Sequence, residues 1–139
     1  MTMELQLPEI LANLDVTIED PADCPPARWG IIGPGGIARQ FLADAREGTA
    51  CDVTAIGSRS RERAEAFAAQ HGIAHAYGSY EELVASDAID AVYVATPHSE
   101  HRDHAILALE AGKPVLVEKS FTRNAAEARD VFDVARRQG

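Results

Sequence analysis

"RWGIIGPGGIARQF" (residues 28–41) joins a short apolar run to a cluster that holds most of its four glycines and one proline. That many glycines would weaken the interior of a strand or a helix, because glycine loses the most backbone freedom on folding. The run "WGII" predicts a buried strand, and a stripe at helical spacing follows the glycines. That stripe consists of Ile37, Phe41, Leu42 and Ala45. The stretch therefore predicts a strand, a glycine turn and a helix in succession.

The glycine cluster fits the pattern G-x-G-x-x-G/A, with alanine in the third place. In this context Gly33 permits the tight turn, Gly35 lets the backbone approach a pyrophosphate, and Ala38 allows close packing of helix and strand. The N–H groups that open the helix then face the phosphates. The sequence predicts dinucleotide contacts at Gly33, Gly35, Gly36, Ile37 and Ala38. The alternative is a glycine turn that serves packing alone.

Strands and helices continue to alternate along the chain. Apolar runs predict further strands in "CDVTAIGS", "AHAY", "DAVYVAT" and "VLVE", with helices between them. About five such repeats predict an α/β fold, a doubly wound parallel sheet of the Rossmann type. We expect the strand order 3-2-1-4-5, with both faces of the sheet covered.

Capping residues and apolar stripes predict where helices begin and what they bury. Ser60 is expected to cap the second helix. Ser79 with Glu82, and Asn124 with Glu127, are typical of capping boxes, in which each side chain bonds the backbone N–H of the other residue. The last helix is expected to present one apolar face made of Ala128, Val131, Phe132 and Ala135.

Three prolines in "DPADCPPAR" (residues 20–28) separate the start of the chain from the regular pattern, since proline disfavours helix interiors and central strands. Residues 1–27 are predicted to be an N-terminal extension, with one short amphipathic turn near residues 5–14. Residues 28–139 are predicted to be the dinucleotide-binding domain, incomplete at its C-terminal end.

The end of the second predicted strand indicates which dinucleotide binds. In an NAD site, an acidic residue about 20 residues after the glycines bonds the ribose 2′-hydroxyl. This chain has no carboxylate there; it has Ser58, Arg59 and Ser60. An arginine and two hydroxyls suit a 2′-phosphate, so the sequence favours NADP, with NAD as the alternative cofactor. A solvated helix start is the other interpretation, although cations are slightly unfavourable there.

Polar residues follow the fourth and fifth predicted strands, at the sheet edge where ligands of such folds bind. A lysine at this edge, Lys119, can donate a proton or bond a substrate oxygen, and we predict that it is catalytic. The predicted cofactor contacts here are Thr96, Pro97, His98, His101, Glu118 and Lys119. A plain turn and a surface salt bridge are the alternatives.

Three histidines at a spacing of three, His98, His101 and His104, suggest a metal site. Neither a cysteine nor an obvious second carboxylate completes a ligand set, so no metal is predicted. We expect these side chains to be solvated histidines at the start of a helix.

The bulk composition limits the partners of the chain. A net charge of −9 over 139 residues suits neither nucleic acid nor an anionic membrane, which leaves a small-molecule substrate. Two cysteines without a CxxC pair favour a reducing cytoplasm. The first residues lack the basic start of a secretory signal, and no apolar run approaches the length of a membrane span.

Four segments together resemble the N-terminal domain of the Gfo/Idh/MocA oxidoreductase family. They are "GIIGPGGIA", "GSRSRERAEAFA", "YGSYEELVAS" and "IDAVYVATPHSEHRDHAILALEAGKPVLVEKSF". The resemblance covers residues 28–139, and it is strongest to the branch of dimeric dihydrodiol dehydrogenase and NADP-linked sugar dehydrogenases.

This resemblance implies hydride transfer between a nicotinamide cofactor and an alcohol or carbonyl carbon of a sugar, polyol or dihydrodiol. In the E-K-P motif of the family, Glu118 and Lys119 match, and Ser120 stands in place of the usual proline. Lys119 would lie near the nicotinamide and the substrate. His101 matches a family histidine, whereas His98 stands where asparagine is common. The family has a second, substrate-binding domain and forms oligomers, so we expect a fragment of a homo-oligomeric enzyme that lacks that domain.

Two other functions share parts of this pattern. A non-catalytic NADP-binding sensor would keep the glycine loop and Arg59 but would not need Lys119. A methyltransferase that uses S-adenosylmethionine also has a glycine-rich loop after its first strand. It usually has an acidic residue at the end of the second strand, which "GSRS" lacks.

Overall fold

The fold is a five-stranded parallel sheet in the predicted order. The computed structural model describes residues 20–139, so the turn predicted near residues 5–14 lies outside the described residues. The strands are β1 (Arg28–Ile32), β2 (Asp52–Gly57), β3 (His75–Tyr77), β4 (Ala91–Val94) and β5 (Val115–Val117), paired as β3-β2-β1-β4-β5. The prediction of a doubly wound parallel sheet is confirmed, and its winding changes direction between β1 and β4.

Helices connect the strands and lie on both faces of the sheet. They are α1 (Gly36–Gly48), α2 (Arg61–His71), α3 (Tyr80–Val84), α4 (His101–Glu110) and α5 (Ala125–Gln138), with short 3-10 turns at Pro21–Asp23 and His98–Glu100. Within residues 20–139, none of these helices is both long enough and apolar enough to cross a membrane.

The predicted caps form, but the reciprocal half of each capping box does not. Ser60 accepts a hydrogen bond from the third residue of its helix, and Ser79 and Asn124 do the same at 3.1 and 3.0 Å. Glu82 and Glu127 instead accept from the backbone N–H one residue before the cap, at 3.2 and 3.1 Å. Each glutamate also pairs with an arginine, which draws its carboxylate away from the cap residue.

Apolar side chains fill both faces of the sheet, as expected for a parallel sheet covered by helices. The face under α1 and α2 buries Ile31, Ala38, Leu42, Val53, Ile56, Ala64, Phe67, Ala68, Ile73 and Tyr93. The face under α3 and α4 buries Ile32, Ala55, Leu83, Val84, Ile89, Val92, Val94 and Ala108.

Three large apolar side chains that the sequence pattern assigns to buried faces are exposed instead. Ile37, Leu116 and Phe132 are 40%, 48% and 54% exposed. In α5 the buried apolar residues are Val131 and Val134, which lie three positions apart, so Phe132 is rotated out of that face. Leu116 lies on β5, the edge strand, where the described residues leave one side of the strand without a neighbour.

Candidate functional site

The glycine turn lies at the carboxyl end of β1, against the end of β4. Gly33 has a φ of +100°, and its N–H donates to the Gly57 carbonyl at 3.0 Å. A Cβ at Gly33 would stand 2.9 Å from the Thr96 methyl group and 3.3 Å from the Ala95 carbonyl oxygen. Both the backbone conformation and the lack of space therefore require glycine at this position.

Gly35 leaves open space at the start of α1. It caps the helix in an extended conformation without any side-chain hydrogen bond, and no atom lies within 4 Å of a Cβ built on it. The first N–H groups of a helix have no partner within that helix, so those at the start of α1 suit an anion. Ala38, one turn later, is fully buried where α1 meets the sheet. A side chain at Gly35 would clash with nothing in the protein. Glycine at this position therefore keeps the space free, as expected where a pyrophosphate binds.

An open cavity of about 430 Å³ extends from the glycine turn to the starts of α2 and α3. Its lining residues are Gly33, Pro34, Gly35, Ser58, Arg59, Ser60, Arg63, Tyr80, Ala95, Thr96 and Pro97. None of these described lining residues is acidic, and two are arginines. The cavity is therefore positively charged although the chain as a whole is acidic, which favours an anionic ligand.

The arginines near the start of α2 differ in their partners. Arg61 is paired with Glu82 at 2.9 Å, so its position is explained as part of a surface ion pair. In the described part of the chain, Arg59 and Arg63 form no ion pair. These two guanidinium groups are the donors available to a ligand in the cavity.

The two serines beside Arg59 shape the cavity wall. Ser58 is buried, and its hydroxyl oxygen accepts from the Ser60 N–H at 3.2 Å. The Ser60 hydroxyl donates to Glu62 at 2.8 Å while its oxygen caps α2. Their hydroxyls therefore fix the turn between β2 and α2.

The backbone of Lys119 is held from both sides at the rim beyond β5. Its N–H donates to Glu118 Oε1 at 2.9 Å, and its carbonyl oxygen lies 2.9 Å from Nε2 of His98. The exposed residue Lys119 lines a second cavity, which shares Thr96 and Pro97 with the cavity at the glycine turn. This cavity is lined by Ile37, Thr96, Pro97, His98, Glu118 and Lys119.

Tyr93 fixes the Glu118 carboxylate that holds this loop. The Tyr93 hydroxyl donates to Glu118 Oε2, and its ring stacks on Phe41 with centroids 3.9 Å apart. This hydrogen bond, followed by the one from the Lys119 N–H, lowers the pKa of the Glu118 carboxyl. Burial and the same bond raise the pKa of the Tyr93 phenol. At neutral pH the pair is thus an ionised acceptor and a neutral donor, which suits a fixed support.

The expectation of solvated histidines is wrong for His101, which is fully buried. Its Nε2 lies 2.8 Å from the Thr96 carbonyl oxygen, and its Nδ1 lies 2.9 Å from the Ser120 carbonyl oxygen. Both ring nitrogens therefore lie against the loops after β4 and β5, and the cofactor contact of His101 stays a prediction. In residues 20–139, no three His, Cys, Asp or Glu side chains are grouped as metal ligands.

The place of Tyr80 in the cleft wall was not predicted, and neither was its packing against His104. Their rings pack edge to face with centroids 4.6 Å apart, and His104 Nδ1 lies 2.9 Å from the Thr96 hydroxyl. His104 is half-buried rather than solvated, and burial lowers the pKa of its imidazole. "YGSYEEL" contained the signal for Tyr80, because a residue directly after the cap Ser79 lies at the carboxyl edge of the sheet.

A model of a known protein family matches most of the chain. The model described as "Oxidoreductase family, NAD-binding Rossmann fold" (GFO_IDH_MocA) matches residues 27–139. The chain belongs to this oxidoreductase family. The match confirms the resemblance found in the sequence, and it confirms the prediction of a Rossmann domain that binds a nicotinamide dinucleotide.

Relatives within this oxidoreductase family include NADP-linked enzymes. The scyllo-inositol 2-dehydrogenase (NADP(+)) of Bacillus subtilis is 42% identical over 112 residues, which cover 81% of this chain and 34% of that protein. The D-xylose 1-dehydrogenase (NADP(+)) of Hypocrea jecorina is 45% identical over 121 residues, covering 78% of this chain and 31% of that protein. The chain thus spans about a third of the length of these curated relatives.

A solved structure from this family has the same fold. KijD10, a 3-ketoreductase from Actinomadura kijaniata in complex with TDP-benzene and NADP, superimposes with a TM-score of 0.75 at 38% sequence identity. The alignment covers 82% of this chain and 36% of that one.

Proposed function

We propose that residues 28–139 are the NADP-binding part of an oxidoreductase. The enzyme would transfer a hydride between the nicotinamide and an alcohol or carbonyl carbon of a sugar, polyol or dihydrodiol. The observation that carries this proposal is that several suitable groups lie together at the carboxyl edge of the sheet. It holds the open space at Gly35, the supported Lys119, and a cavity whose lining within residues 20–139 has no acidic residue and has two arginines without an ion pair. NADP-linked sugar and inositol dehydrogenases among the relatives support the same cofactor and substrate class.

Each part of this edge has a proposed role in holding the cofactor. The first turn of α1 would bind the pyrophosphate in the space that Gly35 leaves open. Arg59 and Arg63 would bind the 2′-phosphate through charge-assisted hydrogen bonds. Thr96 and Pro97, which line both cavities, would form the wall that continues toward the nicotinamide. When bound, the cofactor supplies or accepts the hydride.

Lys119 is the proposed acid–base residue of this chain. Its ammonium group would hold the substrate oxygen and donate a proton to it as a carbonyl is reduced, and in the reverse direction the neutral amine would take the proton from the alcohol. His98 and Glu118 hold the Lys119 backbone, so they would position the lysine without touching the reacting atoms. His101 would join the two loops that carry Thr96 and Lys119.

We also propose that the whole enzyme acts in the cytoplasm and forms a homo-oligomer. Ile37 and Leu116 are exposed apolar side chains that line one groove beside the edge strand, and they support contact of this groove with further protein surface.

Replacement of Arg59 by alanine is expected to weaken NADPH binding by about 10- to 100-fold and to leave NADH binding nearly unchanged. The reason is that only NADPH carries the 2′-phosphate, and hydrogen bonds to charged groups contribute about 1.5–3 kcal/mol. Titration followed by nicotinamide fluorescence measures both dissociation constants. The matched control is Arg61→Ala, because Arg61 is held by Glu82 and does not line the cavity. Equal losses for Arg59→Ala and Arg61→Ala would contradict the assignment.

A further inference from the structure

Tyr80 borders the arginine end of the cleft, and its role is not explained by the glycine motif or by Lys119. It is the first residue of α3, is partly buried, and lines the cavity together with Arg59 and Arg63. Burial raises the pKa of the Tyr80 phenol, and the charges of Arg59 and Arg63 act against this rise. A neutral phenol therefore lies beside the two arginines that form no ion pair among the described residues.

The ring of Tyr80 is fixed by packing rather than free to move with a ligand. It meets His104 edge to face at an interplanar angle of 71°, and His104 is in turn bonded to Thr96. The Thr96 methyl group lies against Gly33, where it leaves no room for a Cβ. A continuous packed row thus runs from the glycine turn to Tyr80, which lines the same cavity as Arg59 at the far end of the row.

We propose that Tyr80 is a specificity residue whose hydroxyl orients Arg59 for a ribose 2′-phosphate. This inference rests on the proposed NADP site. An arginine loses much rotamer freedom when it binds a phosphate, and a fixed acceptor that orients it beforehand reduces that loss. The hydroxyl of Tyr80 would therefore favour NADP over NAD. If the Tyr80 ring contacted only the adenine, which NADP and NAD share, it would affect the binding of both cofactors equally.

Two small probes isolate this effect. Adenosine 2′,5′-bisphosphate and adenosine 5′-monophosphate differ only in the 2′-phosphate, and calorimetry measures the dissociation constant of each. Tyr80→Phe keeps the ring and removes the hydroxyl, so it is expected to weaken bisphosphate binding by about 3- to 10-fold and to leave monophosphate binding unchanged. Tyr80→Ala also removes the ring that lines the cavity, and it is expected to weaken the binding of both probes. Thermal melting of each variant checks that it is folded.

Tyr77→Phe is the matched control. The Tyr77 hydroxyl bonds Ser86 at 2.8 Å, and Tyr77 does not line the cavity, so neither dissociation constant should change. Wild-type protein that binds the bisphosphate no tighter than the monophosphate would contradict the NADP site itself. If the wild type prefers the bisphosphate and Tyr80→Phe keeps that preference in full, only the role of Tyr80 is overturned. Equal losses for both probes in Tyr80→Phe would likewise overturn it and assign the residue to the adenine.

Discussion

Replacement of Lys119 by methionine is expected to lower kcat of the whole enzyme by about 10²- to 10⁴-fold, the usual contribution of a positioned acid or base. Methionine keeps the unbranched apolar stem but can neither take a proton from a substrate hydroxyl nor return it. The bonds from Glu118 and His98 reach the Lys119 backbone rather than its side chain, so the loop should keep its shape. Steady-state kinetics with NADP⁺ and D-xylose or scyllo-inositol as trial substrates measures the effect, and NADPH affinity should barely change.

Lys113→Met is the control for this substitution. Lys113 precedes β5, at the amino ends of the strands and therefore away from the cleft. Its ammonium group donates to the Ile89 carbonyl at 2.9 Å. Its replacement is expected to cost some stability and to leave kcat unchanged. A Lys119→Met enzyme with wild-type kcat would remove the lysine from the chemistry. A wild-type protein that binds NADPH but turns over no alcohol or carbonyl substrate would favour the non-catalytic NADP-binding module.

Replacement of Gly33 by alanine is expected to lower the free energy of unfolding by about 2–6 kcal/mol. A positive φ costs a side-chain-bearing residue about 1–3 kcal/mol, and forcing a methyl group into a packed site costs a similar amount. The new Cβ would meet Thr96 at 2.9 Å and the backbone of Ala95, which cannot move without disturbing the end of β4. Urea denaturation followed by circular dichroism measures the change.

Gly35→Ser is the companion variant that separates binding from folding. A Cβ at Gly35 has free room, and serine is a favoured cap for α1, so stability should be unchanged or slightly higher. Dinucleotide binding should nevertheless be lost, because the side chain fills the space proposed for the pyrophosphate. Wild-type stability of Gly33→Ala, or undiminished NADPH binding by Gly35→Ser, would show that these glycines serve other purposes.

The parts of the fold that the sequence predicted correctly depend on local signals. The glycine turn follows from the conformational needs of one short stretch, and the strand order follows from the alternation of apolar runs and helices. The caps Ser60, Ser79 and Asn124 were also recognisable, since each side chain bonds a backbone N–H only three residues away.

The contacts that the sequence did not predict join residues far apart in the chain. Tyr93 reaches Glu118 across 25 positions, and His101 reaches Ser120 across 19. Neither pair has a fixed spacing, because each depends on how adjacent loops meet at the sheet edge. The burial of His101 was not predicted, because it also depends on how these two loops meet. The exposure of Phe132 depends on how α5 is rotated about its axis where it packs against α4. The spacing of the apolar residues does not distinguish between two neighbouring rotations, one that buries Phe132 and one that exposes it.

The most direct test of the NADP site is an NMR titration of the ¹⁵N-labelled chain with NADP⁺. We predict saturable shifts of the amide signals along the cleft, at Gly35, Gly36, Arg59, Ser60 and Thr96. The groove between α4 and α5, which both acidic and basic side chains line, provides the comparison within the same spectrum, and signals such as those of Ile106 and Val134 should stay in place. Shifts confined to that groove, or a spectrum that NADP⁺ leaves unchanged, would contradict the proposed site.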